Sequence, residues 1–183
     1  EDARVAEFID NSLASYFYHV NKTKKLSKNH HLKIKLQIDT RQISISDNAG
    51  GINDRELQRA LMAGVKPSYQ KGLNEFGLGM KIGAFFFTRK WSILTKAIDE
   101  NESKGIVIDL DKINKNEKIQ STAPIKRTKV AKGSKSFTVI KLGNLKNPLT
   151  KKIKNKIKDR IESRYRKFIL SNKISIEFND KKL

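Results

Sequence analysis

The hydrophobic period changes once near the start of the chain, and that change does most to limit the fold. Val5, Ile9, Leu13, Tyr16 and Val20 recur every three or four residues, which predicts an amphipathic helix over residues 2–20. A polar, lysine-rich stretch covers 21–31. Leu32, Ile34, Leu36 and Ile38 then fall on alternate positions, and Ile43 and Ile45 resume the alternation after Asp39-Thr40-Arg41. This reads as a β-hairpin with one apolar face. A helix with one apolar stripe and a hairpin with one apolar face each need cover, so helix packed on sheet is the expected architecture.

The rest of the sequence extends that plan. Asn53 and Glu56 have the spacing of a helix-opening capping box. Residues 63–79 are punctuated by Gly64, Pro67, Gly72, Gly77 and Gly79, as in a loop. Met80–Phe87 reads as a mostly buried helix. Trp91–Ala97 and Gly105–Leu110 read as strands joined by the polar tip Asp99-Glu100-Asn101-Glu102. Residues 111–135 are poorly patterned, with one possible strand near 118–123. Ser136–Leu142 is a strand, 148–170 a helix with Ile153, Ile157, Ile161, Tyr165 and Phe168 on one face, and Lys173–Phe178 a last strand. Hairpins outnumber βαβ units. The expected class is therefore α+β: a two-layer sandwich with a mostly antiparallel mixed sheet and helices on one face.

Composition removes several function classes. The chain has 183 residues and no cysteine, so disulfides and Cys-ligated zinc are excluded, and a reducing, intracellular compartment is expected. No apolar run approaches the ~20 residues of a membrane span. The start is acidic and helix-like with no signal peptide, which suggests a piece cut from a longer protein. The net charge of +20 favours polyanions: nucleic acid, acidic surfaces or nucleotide phosphates. Lysine far outnumbers arginine and Ile and Asn are abundant, so compositional drift accounts for the charge equally well.

Four segments carry chemistry. In Glu7-Phe8-Ile9-Asp10-Asn11-Ser12, Glu7 and Asn11 stand four apart and share a helix face. A carboxylate and an amide oxygen side by side suit a hard cation and an activated water, or simply a polar helix surface. In Asp47-Asn48-Ala49-Gly50-Gly51, an aspartate leaves a strand into a glycine turn. It is either an inward-facing acceptor for an exocyclic amine, with the glycines admitting a flat ring, or an ordinary turn. In Gly72–Lys81, Gly77 and Gly79 precede a helix and expose backbone N–H groups to an anion. The spacing fits neither the dinucleotide pattern nor the P-loop. Lys81 there either adds charge near phosphates or is solvated. In Phe137–Leu142, Thr138 is a hydroxyl on a strand face shared with Ile140 and Leu142, meeting a ligand, a water or nothing special.

Taken in order, these segments resemble the N box, G1 box, G2 box and final threonine strand of the gyrase, heat-shock chaperone, histidine-kinase and MutL (GHKL) ATPase superfamily, whose fold is called Bergerat. The resemblance spans roughly residues 1–145, with 146–183 a helix–strand extension expected to pack on the same domain. Asp-Asn-Ser and Phe-Gly-Leu-Gly-Met-Lys look most like the microrchidia-type and chaperone-like branches. By this resemblance Glu7 is the general base, Asn11 the Mg²⁺ ligand and Asp47 the adenine-selecting acid. Gly51 and Ile52 lie near the base. Gly77, Leu78, Gly79, Met80 and Lys81 line the phosphates below a lid at about 63–76, and Thr138 completes the site. Three residues depart from the pattern: Ala49 and Phe137 stand where glycine is usual, and Ala14 where aspartate is common.

The resemblance implies an ATPase that uses ATP and Mg²⁺, turns over slowly, and acts as a clamp or switch with ATP-dependent homodimerisation. DNA is a candidate object of that clamp. Two rivals stand beside it. One is a non-hydrolysing ATP sensor or scaffold. The other is a basic nucleic-acid-binding module using the 148–170 helix. No membrane partner is expected, and His19, His30 and His31 read as surface residues.

Overall fold

The computed structural model describes residues 2–61, 79–112 and 123–183. The N-terminal stripe forms α1 (Asp2–Phe17), and its last turn widens into a π-helical segment over Tyr18–Lys22, closed by Thr23 N–H donating to Tyr18 O at 3.2 Å. The hairpin is β1 (Leu32–Ile38) and β2 (Ile43–Asp47), and the burial of β1 alternates along its whole length. Next come α2 (Asp54–Leu61), α3 (Gly79–Phe87), β3 (Lys90–Lys96), β4 (Glu102–Asp109), β5 (Lys126–Lys129) and β6 (Phe137–Leu142). The chain continues through α4 (Lys151–Leu170), β7 (Ile174–Phe178) and β8 (Lys181–Lys182).

The eight strands make one sheet in the order β5-β4-β3-β6-β2-β1-β7-β8. Every neighbouring pair is antiparallel except β1 with β7. The face carrying Ile34, Ile45, Ile140 and Ile93 is buried together with Phe8, Leu13, Ile157 and Ile161 from α1 and α4. On the opposite face Leu94 and Val107 are exposed. The α+β class, the mixed sheet and the one-sided helix layer agree with the sequence-based expectation.

Two strands escaped the sequence pattern for a physical reason. Lys126-Arg127-Thr128-Lys129 is exposed at every position and has no apolar alternation; it is a strand because its backbone extends the sheet edge along β4. β8 is two lysines returned by Asn179 and Asp180, both at positive φ, a hairpin turn suited to the strand twist. Asn179 also accepts from Ile38 N–H at 2.7 Å and donates to Ile38 O at 3.2 Å, tying that turn to the end of β1. Residues 118–122 lie outside the described residues.

α4 starts at Thr150, whose hydroxyl accepts from Ile153 N–H at 3.3 Å, and packs along α1. The contact has a polar centre. Asp10 is 2% exposed; its carboxylate accepts from Arg164 at 2.6 Å and from the Tyr165 hydroxyl at 2.7 Å. Tyr165 Oη also lies 3.0 Å from Ala6 O. Burial and the neighbouring Asp10 charge push the Tyr165 phenol far above its ordinary range, so it stays protonated and donates. The Arg164 guanidinium is about a third exposed and keeps its own hydration. The two partners should therefore differ on mutation. Arg164→Ala leaves a buried carboxylate undercompensated and should cost ~2–3 kcal/mol, whereas Asp10→Asn keeps the shape and both donors and should cost ~1 kcal/mol. Urea denaturation reads both, and equal losses would contradict the difference in burial as its cause.

Candidate functional site

Asp47 ends β2 with its carboxylate turned to the helix layer. One oxygen accepts from the Ser12 hydroxyl of α1 at 2.8 Å, the other from Ala49 N–H at 3.0 Å. Burial pushes its pKa up to about 6, and the two hydrogen bonds pull the other way without overcoming burial. Opposite the half-buried Asp47 across the β2–β6 ladder stands Thr138, which is buried. The structure thus brings together two residues that lie 91 positions apart in the sequence. Ser12 was not singled out by the sequence. Its signal was its place beside Asn11, one residue off the stripe that faces the sheet.

Ser12 also fixes how α1 presents its neighbours. Asn11 precedes it and Glu7 lies one turn earlier; both are half-buried. Among the described residues neither side chain has a hydrogen bond or ion pair to another protein group. Their oxygens are therefore free to meet a ligand, while Asp10 and Ser12 are consumed by structure. α3 begins at Gly79 and crosses α1 closely: a Cβ on Gly83 would sit 3.2 Å from Arg4 O. The crossing sets the middle of α3 against the Arg4 and Phe8 turns of α1. Met80 packs on the core, and Lys81 is 7% exposed, its pKa lowered by desolvation rather than set by open solvent. Gly77, Leu78 and the expected lid at 63–76 lie outside the described residues.

The turn after Asp47 is pressed against the sheet. Gly51 has φ +69°, and a Cβ there would collide with Lys96 O. Ile98 N–H donates to Gly50 O at 3.0 Å, and the Ser136 hydroxyl donates to Ala49 O at 2.5 Å. The flat ring that Gly50 admits is one of the protein's own: a Cβ on Gly50 would collide with the His19 imidazole. Both glycines are required by close packing within the chain. His19, His30 and His31 are half-buried rather than surface residues. His30 bonds Asn48 O at 2.9 Å and His31 contacts Asn172 O at 3.1 Å. A polar cavity of about 200 Å³ opens beyond the turn, lined by Tyr18, His19, Gly51, Asn53, Arg55 and Asp99; neither Asp47 nor Asn11 lines it. α2 follows, with Asn53 Oδ1 accepting from Glu56 N–H at 2.9 Å, as the capping spacing required.

Asp47 gives a pH-dependent test. Its folded pKa of about 6 exceeds its ordinary 3.8, so between those values the folded state holds more protons than the unfolded chain. Stability from this group is therefore present below about pH 4 and lost as pH rises through about 6. Asp54 and Asp99, both lowered by their cationic partners, push oppositely, so the contrast must be read between variants. Asp47→Asn should gain on the wild type by up to ~3 kcal/mol between about pH 4 and about pH 7, followed by urea denaturation. A pH-independent difference would mean that the carboxyl is not held as described.

A family profile described as histidine kinase-, DNA gyrase B- and HSP90-like ATPase matches residues 2–138. Comparison with curated protein sequences finds no significant match. Among solved structures, the fold is similar to the ATPase region of Saccharomyces cerevisiae topoisomerase II, with a TM-score of 0.62 at 14% identity, covering 97% of this chain and 48% of that one. It is similar to the ATPase and transducer domains of DNA topoisomerase II from Balamuthia mandrillaris, TM-score 0.65 at 14% identity, covering 100% and 48%. The Aquifex aeolicus MutL ATPase domain complexed with ADP matches with a TM-score of 0.55 at 13% identity, covering 100% and 61%. The chain thus spans about half the length of the topoisomerase structures it matches. The matched span opens in α1 and closes at Thr138, enclosing every motif residue identified above, and the chain belongs to the histidine kinase-, DNA gyrase B- and HSP90-like ATPase family.

Proposed function

We propose that this domain binds Mg-ATP beside α1 and hydrolyses it slowly, with the bound nucleotide setting a conformational switch. One observation carries the reading: Asp47 is held by Ser12, in register with Thr138, while the adjoining Asn11 and Glu7 keep their oxygens unengaged. A carboxylate so held accepts a hydrogen bond from the exocyclic amine of adenine and has no proton to give guanine's carbonyl once ionised. Thr138 supplies a hydroxyl to the same end of the ligand.

The donor set also fits the metal. Among the described residues no group of three or more His, Cys, Asp or Glu side chains could cage an ion. That suits Mg²⁺, which usually keeps waters and shares phosphate oxygens with one or two protein ligands. Asn11 would hold it by its amide oxygen. When bound, the ion would offset charge on the phosphates. Glu7, on the same face of α1, would accept the proton of a water aimed at the terminal phosphate. The resemblance assigns Gly77, Leu78, Gly79, Met80 and Lys81 to the phosphates; the start of α3 at Gly79 supports that with backbone N–H groups and the helix dipole. Pairing of two copies on ATP binding, an intracellular setting, and nucleic acid as the object of the switch belong to the same proposal.

The basic-module reading keeps one specific support: α4 exposes Lys151, Lys152, Lys156, Arg166 and Lys167 on the side away from the core. Those basic residues and the nucleotide residues lie on different elements, so both activities are compatible. Among the described residues no helix is long and apolar enough to cross a membrane.

Two measurements test the proposal. Glu7→Ala should retain ATP affinity within about threefold while turnover falls ~10²–10³-fold; unchanged turnover removes Glu7 from the chemistry. Titration of ATP and GTP with and without Mg²⁺ should show a preference for ATP that Asp47→Asn diminishes by ~10-fold or more. Equal wild-type affinity for the two nucleotides would end the adenine assignment.

A further inference from the structure

β6 lies between β2 and β3, and its Thr138 is directly opposite both Asp47 and Thr95. Residues directly opposite share a sheet face, so Asp47, Thr138 and Thr95 form one polar row on the helix side. The adjacent row on those three strands is wholly apolar: Ile45, Ile140 and Ile93. Thr95 is 0% exposed, and burying a hydroxyl in such a layer is costly unless its bonds are made. They are made, and both reach functional neighbours. Thr95 Oγ1 accepts from Ile52 N–H at 2.9 Å and donates to Phe137 O at 2.9 Å.

That arrangement sets a direction. A hydroxyl has one proton, and Phe137 O takes it. Thr95 is then an acceptor toward everything else. Thr138 Oγ1 lies 3.4 Å away, too far for a strong bond, so its proton is available to a ligand on the Asp47 side. The bond to Ile52 pins the far end of the turn that starts at Asp47. The next residues are anchored by the continuation of the row. Thr95 stands opposite Lys104, fully buried, whose ammonium pairs with Glu100 and lies 3.3 Å from an Asp54 carboxylate oxygen. Glu100 in turn accepts from Asp54 N–H at 3.0 Å.

We propose that Thr95 is a positioning residue for recognition of the adenine ring, holding Ile52 by its N–H and, through Phe137 O, the start of the strand that carries Thr138 in line with Asp47. This rests on Asp47 being the base-selecting residue. A threonine that merely filled the core would, on removal, weaken every nucleotide alike. A positioning threonine weakens the matched base selectively.

The test compares wild type, Thr95→Val and Thr95→Ser for affinity toward ATP and GTP in Mg²⁺, and for turnover at saturating ATP. Valine keeps the volume and removes both hydrogen bonds. Thr95→Val should lose ~10-fold in ATP affinity and less than threefold in GTP affinity, with saturated turnover within about threefold of wild type. Thr95→Ser should restore the ATP preference. An unchanged ratio of ATP to GTP affinity in Thr95→Val, an equal loss for both nucleotides, or failure of serine to rescue would each overturn the proposal. If Thr95→Val does not fold by thermal melting, Thr95→Cys, a weaker hydrogen-bonding replacement of similar size, takes its place. A selective loss of ATP affinity in the cysteine variant supports the proposal, and an unchanged ratio overturns it. A wild type that binds ATP and GTP equally would instead refute the base assignment, and this proposal with it.

Discussion

The carboxylate of Asp47 is the constraint around which the rest is arranged. It sits at the end of β2, pointing into the helix layer, where an ionised group is expensive to bury. Burial there pushes its pKa up to about 6. Two donors offset it, Ser12 from α1 and Ala49 N–H from its own turn. Each ties the sheet to one wall of the site. Ser12 fixes the rotation of α1 about its axis, and with it the direction of Asn11 and Glu7. Ala49 N–H folds the turn back on Asp47 and leads the chain into Gly50 and Gly51.

α1 is then held from three sides. The sheet reaches it through Ser12, α4 reaches it through Arg164 and Tyr165 on Asp10, and α3 crosses it where Gly83 approaches Arg4 and Phe8. These contacts engage most of the segment from Glu7 to Ser12. Phe8 and Ile9 go to the core, Asp10 to α4 and Ser12 to Asp47, which leaves Glu7 and Asn11 for a ligand. A helix surface becomes a candidate site by elimination, because its other polar groups already have partners. The same pattern holds in the sheet: one row of Asp47, Thr138, Thr95 and Lys104 interrupts an otherwise isoleucine-rich face; Asp47, Thr95 and Lys104 each have close partners, while Thr138 Oγ1 lies 3.4 Å from Thr95.

Much of this was legible in the residues themselves. The stripe from Val5 to Val20 and the alternation from Leu32 to Ile45 specify α1 and the hairpin, because burying one face is a local requirement of each element. The Asn53–Glu56 spacing opened α2, and the order of the motif segments identified the family. What escaped the sequence was whatever depends on a partner. β5 has no apolar pattern and is a strand through pairing alone; β8 is held by a two-residue turn. The positions of Gly50 and Gly51 were legible but their reason was not, since His19 and Lys96 are distant in sequence.

The sequence by itself determined which residue types are present and on which local face each lies: Glu7 with Asn11 on a helix, Asp47 at a strand end, Thr138 alternating with Ile140. Periodicity sets those faces, and it acts within one element. Tertiary structure decided which of those residues meet. Register placed Thr138 opposite Asp47 and Thr95 opposite Thr138, and packing of α1 on the sheet brought Ser12 to the carboxylate. A one-residue slip of β6 would turn Thr138 to the outer face while leaving its local pattern intact. Only the summed burial of the whole sheet excludes that slip, and no single segment encodes it.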